Sequence, residues 1–272
     1  MNRSRLRTLF TRRSEGSDMR ITDDDGVRTV TFDRPDSKNA FTEQAARDLA
    51  SAIDGTSTAD HDAIVLTGEG DAFSAGGDVE AMAAREETAA ESFERVQDTL
   101  GRVVEAAMTS PVPIVAKVNG DAVGAGLAVT AVSDFAYAAA DATFGCAFVR
   151  VGLVPDTGGT FLLPKLVGLR AAKRLAFTAD FFDAAEAAEL GLINEAVPAD
   201  ELDATVDDLL ETLGKRPSET IGLAKRAMHE NLGTYWREAL EQELLTQSLA
   251  YGTPDHEEGV SAFLEGRDPD FS

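Results

Sequence analysis

The sequence predicts an α/β core followed by a helical C-terminal part. Short branched or apolar runs alternate with helix-like stretches as far as Ala138, glycine-containing turns join strand-like sequence to helices at three places, and the pattern beyond Gly158 is almost wholly helical. Strand and helix in alternation imply a mostly parallel sheet with helical crossovers, because parallel neighbours cannot be joined by a tight hairpin.

In chain order, strand-like sequence begins directly after Met19. Val27 to Phe32 alternates and is rich in branched residues, which reads as a strand, and Arg34-Pro35-Asp36-Ser37 breaks it. Thr42 suits the N-cap of a helix through Ile53. Ala63 to Thr67 is a continuous apolar run fit for a strand buried on both faces, ended by Gly68 to Asp71. After Gly76 and Gly77 a long helical pattern runs to about Met108. A third strand (Val112 to Val118), a short helix (Ala125 to Val132) and a fourth strand (Asp134 to Ala138) follow. Helices are then expected at Arg170 to Phe177, Ala184 to Leu190, Asp200 to Leu213, Ser218 to Asn231 and Tyr235 to Tyr251, with no strand among them. The divisions expected are a basic tail over 1–18, a core over 19–195 and a helical region over 196–272; no low-complexity linker separates the last two, so they should pack closely.

The tail carries Arg3, Arg5, Arg7, Arg12 and Arg13 but lacks the apolar stretch of a secretory signal. It reads as disordered; its Arg/Ser bias leaves an organellar transit peptide open, and Met19 is an alternative start. With 43% hydrophobic and 27% charged residues, and no apolar run near the roughly 20 residues that span a bilayer, a soluble cytoplasmic protein is expected. Acidic residues number 48 against 25 basic, a net charge of -23, which repels nucleic acid phosphates and anionic lipid. Neither is expected as a partner. The acids are spread (Asp23 to Asp25, Asp207, Asp208, Glu257, Glu258) and Lys is scarce beside Arg, a surface that resembles the proteins of extreme halophiles.

The single cysteine, Cys146, excludes an intramolecular disulfide framework and a multi-Cys zinc site, and its apolar setting from Phe144 to Phe148 suits an inert buried thiol. His61, His229 and His256 have no metal spacing and no Ser or Cys partner, so they read as surface residues, and no metal is expected.

Chemistry concentrates in Asp71 to Asp78, Asn119 to Gly126 and Val151 to Gly159. A glycine-lined helix start exposes free N–H groups backed by the positive end of the helix dipole, a ready site for an anion or a developing oxyanion. No Gly-Lys-Ser/Thr follows and no dinucleotide fingerprint is spelled, which removes nucleotide hydrolysis and hydride transfer. Each segment alone could be only a tight turn.

Together they resemble the crotonase (enoyl-CoA hydratase/isomerase) superfamily from Met19 to Ser272. Arg34-Pro35 and Asn39-Ala40 are similar to its opening motif, Phe73 to Asp78 to its Phe-Ser/Ala-Ala-Gly-x-Asp segment, Asn119-Gly120 through Gly124-Ala125-Gly126 to its Asn-Gly…Gly-x-Gly segment, and Ser133-Asp134 to its Cys-Asp. Phe263 to Arg267 with Pro269 and Phe271 are similar to its closing motif. The resemblance implies a spiral of repeated β-β-α units followed by a helical trimerisation region, with homotrimers or hexamers. It also implies a coenzyme A thioester substrate that brings its own coenzyme, so that no separate cofactor is needed. The thioester oxygen would sit between the N–H groups of Gly77 and Ala125, donors worth about 2.7 to 4 kcal/mol each in comparable oxyanion holes. Gly124 and Gly76 flank them, and the adenine end would lie near Ala40 and the stretch Phe73, Ser74, Ala75 and Gly76.

Departures from the pattern bear on the reaction. Where hydratases of the family carry two glutamates, this chain reads Ala128 and Phe148, so neither group that positions water and passes protons is present. Asp156, in Gly-Leu-Val-Pro-Asp-Thr-Gly-Gly-Thr, resembles instead the acid of some Δ3,Δ2-enoyl-CoA isomerases and of the ring-1,2-epoxyphenylacetyl-CoA isomerases, a likeness that Leu162 to Gly168 extends. The bland alternative is that Asp156 caps the helix entered at Thr157. Asp78 is the rival acid, with a structural role in the family, and Asp121 reads as a surface residue. The expected activity is transfer of a double bond from 3-enoyl-CoA to 2-enoyl-CoA through a held enolate, with Phe148 keeping water away. The alternatives are an enoyl-CoA hydratase, a cyclic epoxy-acyl-CoA isomerase or a non-catalytic thioester binder.

Overall fold

A computed structural model describes residues 10–12 and 18–271. Strand β1 (Phe10–Arg12) pairs antiparallel with β2 (Met19–Asp24), and β2 with β3 (Val27–Phe32). β1 corrects the expectation of an unstructured tail at those three residues: the open edge of β2 offers backbone donors and acceptors that local sequence does not reveal. The rest of that tail, 1–9 and 13–17, lies outside the described residues. Helix α1 (Glu43–Asp54) is capped by Thr42, whose side chain accepts from Ala45 N–H, and it buries Leu49 and Ile53.

A two-strand-and-helix unit then repeats. β4 (Ala63–Gly68) joins the large sheet and β5 (Ala72–Ser74) leaves it for a smaller one, followed by α2 (Val79–Ala83), α3 (Ala89–Val96) and α4 (Arg102–Thr109). β6 (Ile114–Val118) and β7 (Asp121–Val123) divide in the same way before α5 (Ala125–Val132), and β8 (Phe135–Ala139) and β9 (Thr143–Gly145) before α6 (Gly159–Val167). β3, β4, β6 and β8 are parallel neighbours in one sheet, and β5, β7 and β9 in the other. This is the spiral of β-β-α units.

The long helix expected after Gly77 is broken. α2 stops at Ala83, Thr88 and Glu91 form a capping box that starts α3, and a π-helical turn, Gln97–Gly101, links α3 to α4. Neither α2 nor α3 buries a residue, so local caps rather than core packing set their ends.

After α7 (Leu169–Thr178), β10 (Phe181–Asp183) adds antiparallel to β9; after α8 (Ala184–Glu189), β11 (Glu195–Val197) adds parallel to β8. Both correct the expectation of a strand-free C-terminal half, since three residues show no alternation and form only because an edge is waiting. The large sheet therefore runs to Val197, two residues past the expected end of the core. α9 (Leu202–Gly214), α10 (Ser218–Glu230), α11 (Trp236–Tyr251) and α12 (Pro254–Glu265) complete the chain, the last not expected from the pattern.

The main core fills one side of the large sheet; a second cluster on its other face sets Val65, Val115 and Ala139 against Leu202, Val206 and Leu213. Among the described residues no helix is long and apolar enough to cross a membrane, and no three His, Cys, Asp or Glu side chains gather into a metal-holding group.

A buried ion pair docks α10. Lys225, 7% exposed, donates from Nζ to Asp134 Oδ2 at 2.7 Å and to Val112 O at 3.0 Å, and Asp134 also accepts from Ile114 N–H at 2.7 Å. His229 joins them, Nδ1 lying 2.8 Å from Met108 O and Nε2 3.7 Å from Asp134. His61 is buried between Ser57 N–H, 3.4 Å from Nδ1, and Asp23, 3.5 Å from Nε2. The surface reading thus holds for His256 and fails for His61 and His229, which are drawn inward by acids distant in sequence. Lys225→Ala should lower the free energy of unfolding by about 3 to 5 kcal/mol, because it leaves Asp134 buried without its cation; denaturant melts of the two proteins measure the difference.

Candidate active site

The first glycine segment is fixed by a buried asparagine. Asn39, at φ +55°, accepts from Arg34 N–H at 2.9 Å and donates from Nδ2 to Glu69 O at 2.9 Å and Ala72 O at 2.7 Å. Ser74 Oγ donates to Asn39 O at 2.8 Å and accepts from Gly76 N–H at 3.2 Å. Phe41 then binds both neighbours of Gly77: its N–H donates to Gly76 O at 2.7 Å, and its O accepts from Asp78 N–H at 3.1 Å. Along an extended chain successive N–H groups face opposite ways. Gly77 N–H is therefore directed away from Phe41, and among the described residues nothing accepts from it.

The second segment supplies a helix start. Gly124 N–H donates to Gly145 O at 2.8 Å, α5 begins at Ala125, and all eight of its residues are buried. Gly124 offers no capping side chain, so Ala125 N–H is an open donor at the positive end of an apolar helix, without an acceptor among the described residues.

Parallel pairing of β5 with β7 lays the two segments side by side. The approach tolerates no side chain at two positions. A Cβ on Gly76, whose φ is +97°, would stand 2.8 Å from Val123 O and 3.4 Å from Ala125 N; one on Gly126 would stand 2.4 Å from Ser74 O. Gly76, Gly77, Gly124 and Ala125 thus meet in one place.

Each of the three glycine segments carries a candidate carboxylate. Asp78 caps α2 by accepting from Ala81 N–H at 3.0 Å and lies 3.4 Å from Arg34; the backbone hydrogen bond first, then Arg34, hold its carboxyl below the usual range. It is a poor proton acceptor. Asp121 pairs with the exposed Lys38 at 3.2 Å. Asp156 differs: burial pushes its carboxyl up, opposed by the Thr157 hydroxyl, which donates at 2.9 Å, and by the more remote charge of Arg95. It is not a helix cap. α6 begins only at Gly159 and no side chain caps it, while Thr157 sits at φ +52°. α6, entered from Asp156, packs against α5, entered from Ala125.

Of the other candidate residues, Ala128 (1% exposed) lies one turn into α5 and Phe148 (7%) in the 3-10 turn Ala147–Val151, both in the main core. Phe73 is fully buried, edge-on to Phe32 at 5.1 Å, and the Ser74 hydroxyl is bonded within the loop, so at these two positions it is the main chain that is left to meet a ligand. Ala75 N–H donates to Lys38 O at 2.9 Å, and Ala40 O accepts from Arg34 Nη1 at 2.7 Å. Cys146 is buried and its thiol is pushed up to about 11 by desolvation, in keeping with an inert role. Sequence reasoning missed Arg95. Its acidic partners, Glu87 and Glu43, lie eight and more residues away, at no helical spacing.

Comparison with known proteins bears on this geometry. The family model for enoyl-CoA hydratase/isomerase matches residues 22–272. The chain is similar to the 1,2-epoxyphenylacetyl-CoA isomerase of Escherichia coli K12, with 34% identity over 252 residues covering 91% of this chain and 95% of that protein. It is similar as well to the crotonyl-CoA hydratase of Syntrophomonas wolfei, with 33% identity covering 90% of this chain and 94% of that protein. An enoyl-CoA hydratase structure from Mycobacterium smegmatis superposes with a TM-score of 0.84 at 32% identity, covering 97% of this chain and 98% of the other.

Gly126→Ala tests the backbone approach. Forcing Ser74 away should separate the donors and cut turnover on a thioester substrate by a factor on the order of 100, while circular dichroism still reports a folded chain.

Proposed function

The chain belongs to the enoyl-CoA hydratase/isomerase family, and on that footing we propose that it moves a double bond in an acyl-CoA thioester, converting the 3-enoyl to the 2-enoyl isomer. Gly77 N–H and Ala125 N–H bind the thioester oxygen and stabilise the enolate as negative charge develops there. Asp156 removes a proton from C2 and returns it to C4. One carboxylate suffices because the group that takes the proton gives it back. Proton transfer of this kind asks for no cofactor beyond the coenzyme A that arrives with the substrate.

One observation carries the reading: of the candidate carboxylates in the glycine segments, Asp156 is the one whose burial raises its affinity for a proton, whereas Asp78 is held as a poor base. Burial of Ala128 and Phe148 supports isomerisation over hydration, since neither can orient a water molecule where two glutamates would. Similarity to the epoxyphenylacetyl-CoA isomerase favours a second reading, in which the same donors and Asp156 act on a cyclic epoxy-acyl thioester.

Assembly is proposed as a homotrimer or a dimer of trimers. α11 and α12 leave Leu240, Leu244, Leu249, Phe263 and Leu264 exposed, and a cleft of about 800 Å³ between α10 and α11 is lined by Leu223, Met228 and Leu244. So much apolar surface on consecutive helices suits burial against further copies. Light scattering should give a trimer or hexamer mass, and a monomer would count against this assembly.

The reaction is tested by NMR and mass analysis of matched 2-enoyl and 3-enoyl thioesters incubated with the enzyme. The 3-enoyl compound should isomerise faster than the 2-enoyl compound gains water; the reverse order would return the chain to the hydratases. Asp156→Asn should lower isomerisation on the order of 100-fold with thioester binding nearly unchanged. Because burial raises the Asp156 carboxyl, the anion that accepts the proton is lost at a higher pH than for an exposed aspartate, and the rate should fall on the acid side accordingly.

A further inference from the structure

Asp156 opens a turn whose backbone does not suit the residue that follows it. Asp156 O accepts from Gly159 N–H at 2.7 Å, and the two residues between, Thr157 and Gly158, have φ of +52° and +78°. Positive φ at both central positions under a closing hydrogen bond is the pattern of a type I′ turn, which glycine, asparagine and aspartate fill with little strain. Gly158 meets that demand. Thr157 does not, because a branched Cβ crowds the backbone in the left-handed region.

Four other residues with side chains take positive φ among the described residues, Asp25, Lys38, Asn39 and Ala179, and none of them is branched at Cβ. Thr157 is also only 5% exposed, so its hydroxyl is not there to meet solvent. What it meets is the neighbouring carboxyl. Thr157 Oγ1 donates to Asp156 Oδ1 at 2.9 Å, and no other side chain hydrogen-bonds that half-buried carboxyl among the described residues. A strained backbone and a buried hydrogen bond thus fall on one residue, next to the acid that the glycine segment presents.

We propose that Thr157 is a positioning residue for the base: its left-handed backbone turns the hydroxyl onto Asp156 and fixes the carboxylate in one orientation, ready to take a proton. The proposal rests on the reading of Asp156 as the base. An aspartate carboxylate rotates over a broad well about its last bond, and that freedom must be lost before it can meet a C–H group in line. A donor on the next residue removes the freedom in advance, and a hydrogen bond to a charged acceptor is about twice as strong as one between neutral groups. Strain of this kind persists where the surrounding structure over-determines it, and it collects at active sites. Glycine at this position would make an easier turn and leave the carboxylate loose.

The test compares kcat and KM for 3-enoyl to 2-enoyl conversion in wild type, Thr157→Ser, Thr157→Val and Thr157→Gly, with a thermal melt of each. Thr157→Val keeps the branched shape and the strain without the hydroxyl, so kcat should fall on the order of tenfold or more with KM changed by less than about twofold. Thr157→Ser, which keeps the donor, should hold kcat within about threefold of wild type. Thr157→Gly should lose as much kcat as Thr157→Val without melting below it, a separation of activity from stability that a merely structural residue would not give. In an Asp156→Asn background Thr157→Val should lower kcat no further, because it acts through the carboxylate. Full kcat in Thr157→Val, an equal loss in Thr157→Ser, losses that follow the melting temperatures across the variants, or a further loss in the Asp156→Asn background would overturn the proposal. If Thr157→Val does not fold, Thr157→Gly against Thr157→Ser makes the same comparison. If Asp156→Asn keeps full activity, the functional reading fails separately, and infrared difference spectra decide: an Asp156 carboxylate band, assigned by its loss in Asp156→Asn, that shifts in Thr157→Gly and not in Thr157→Ser supports the hold of Thr157 on Asp156, and an unshifted band overturns it.

Discussion

The contact between two backbone segments, with Gly126 against Ser74 and Gly76 against Val123, is the constraint on which the site depends. It brings an extended strand end and a helix start into one place, each with an N–H group that has no acceptor among the described residues. The two donors are free for different reasons. Gly77 is free because Phe41 takes the pairing of both its neighbours, and Ala125 because the first turn of a helix has no preceding carbonyl. Open donors in an apolar setting are a cost to the fold unless something binds them, which is why they mark a site rather than a turn.

Around this pair the fold sorts its carboxylates by environment. Asp78 is satisfied by the start of α2 and by Arg34 and remains a structural anion; Asp156 is half-buried, with the Thr157 hydroxyl as its hydrogen-bond donor. Two aspartates of the glycine segments thus differ in their readiness to carry a proton. Composition cannot distinguish them, and burial can.

The spiral also explains how a three-residue strand can matter. β5, β7 and β9 are individually too short to be stable, but each is held by the strand that precedes it in the large sheet and by its neighbours in the small one. The glycine segments are the exits of these strands. The C-terminal helices add what a spiral lacks: α9 covers the outer face of the large sheet, and α10 is locked to β6 and β8 through Lys225 and Asp134. α11 and α12 follow with their apolar side chains still exposed.

Much of this was legible in the residues. The branched run at Val27 to Phe32, the apolar run at Ala63 to Thr67 and the helix from Ala125 to Val132 appear where their patterns place them, because burial on one or two faces writes itself directly into local periodicity. The glycine segments, Asp156 and the missing glutamates at Ala128 and Phe148 were likewise visible, since a required glycine or an absent carboxylate is a matter of residue type. Tertiary structure alone decided the rest. β1, β10 and β11 exist because edges await them, His61 and His229 turn inward toward distant acids, and the helix after Gly77 breaks where Thr88 starts a new one. Whether Asp156 caps a helix or stands half-buried before one depended on contacts between segments far apart in the chain. Local sequence encodes a residue's own preference for shape and solvent, whereas desolvation and charge are set by whatever the fold brings alongside.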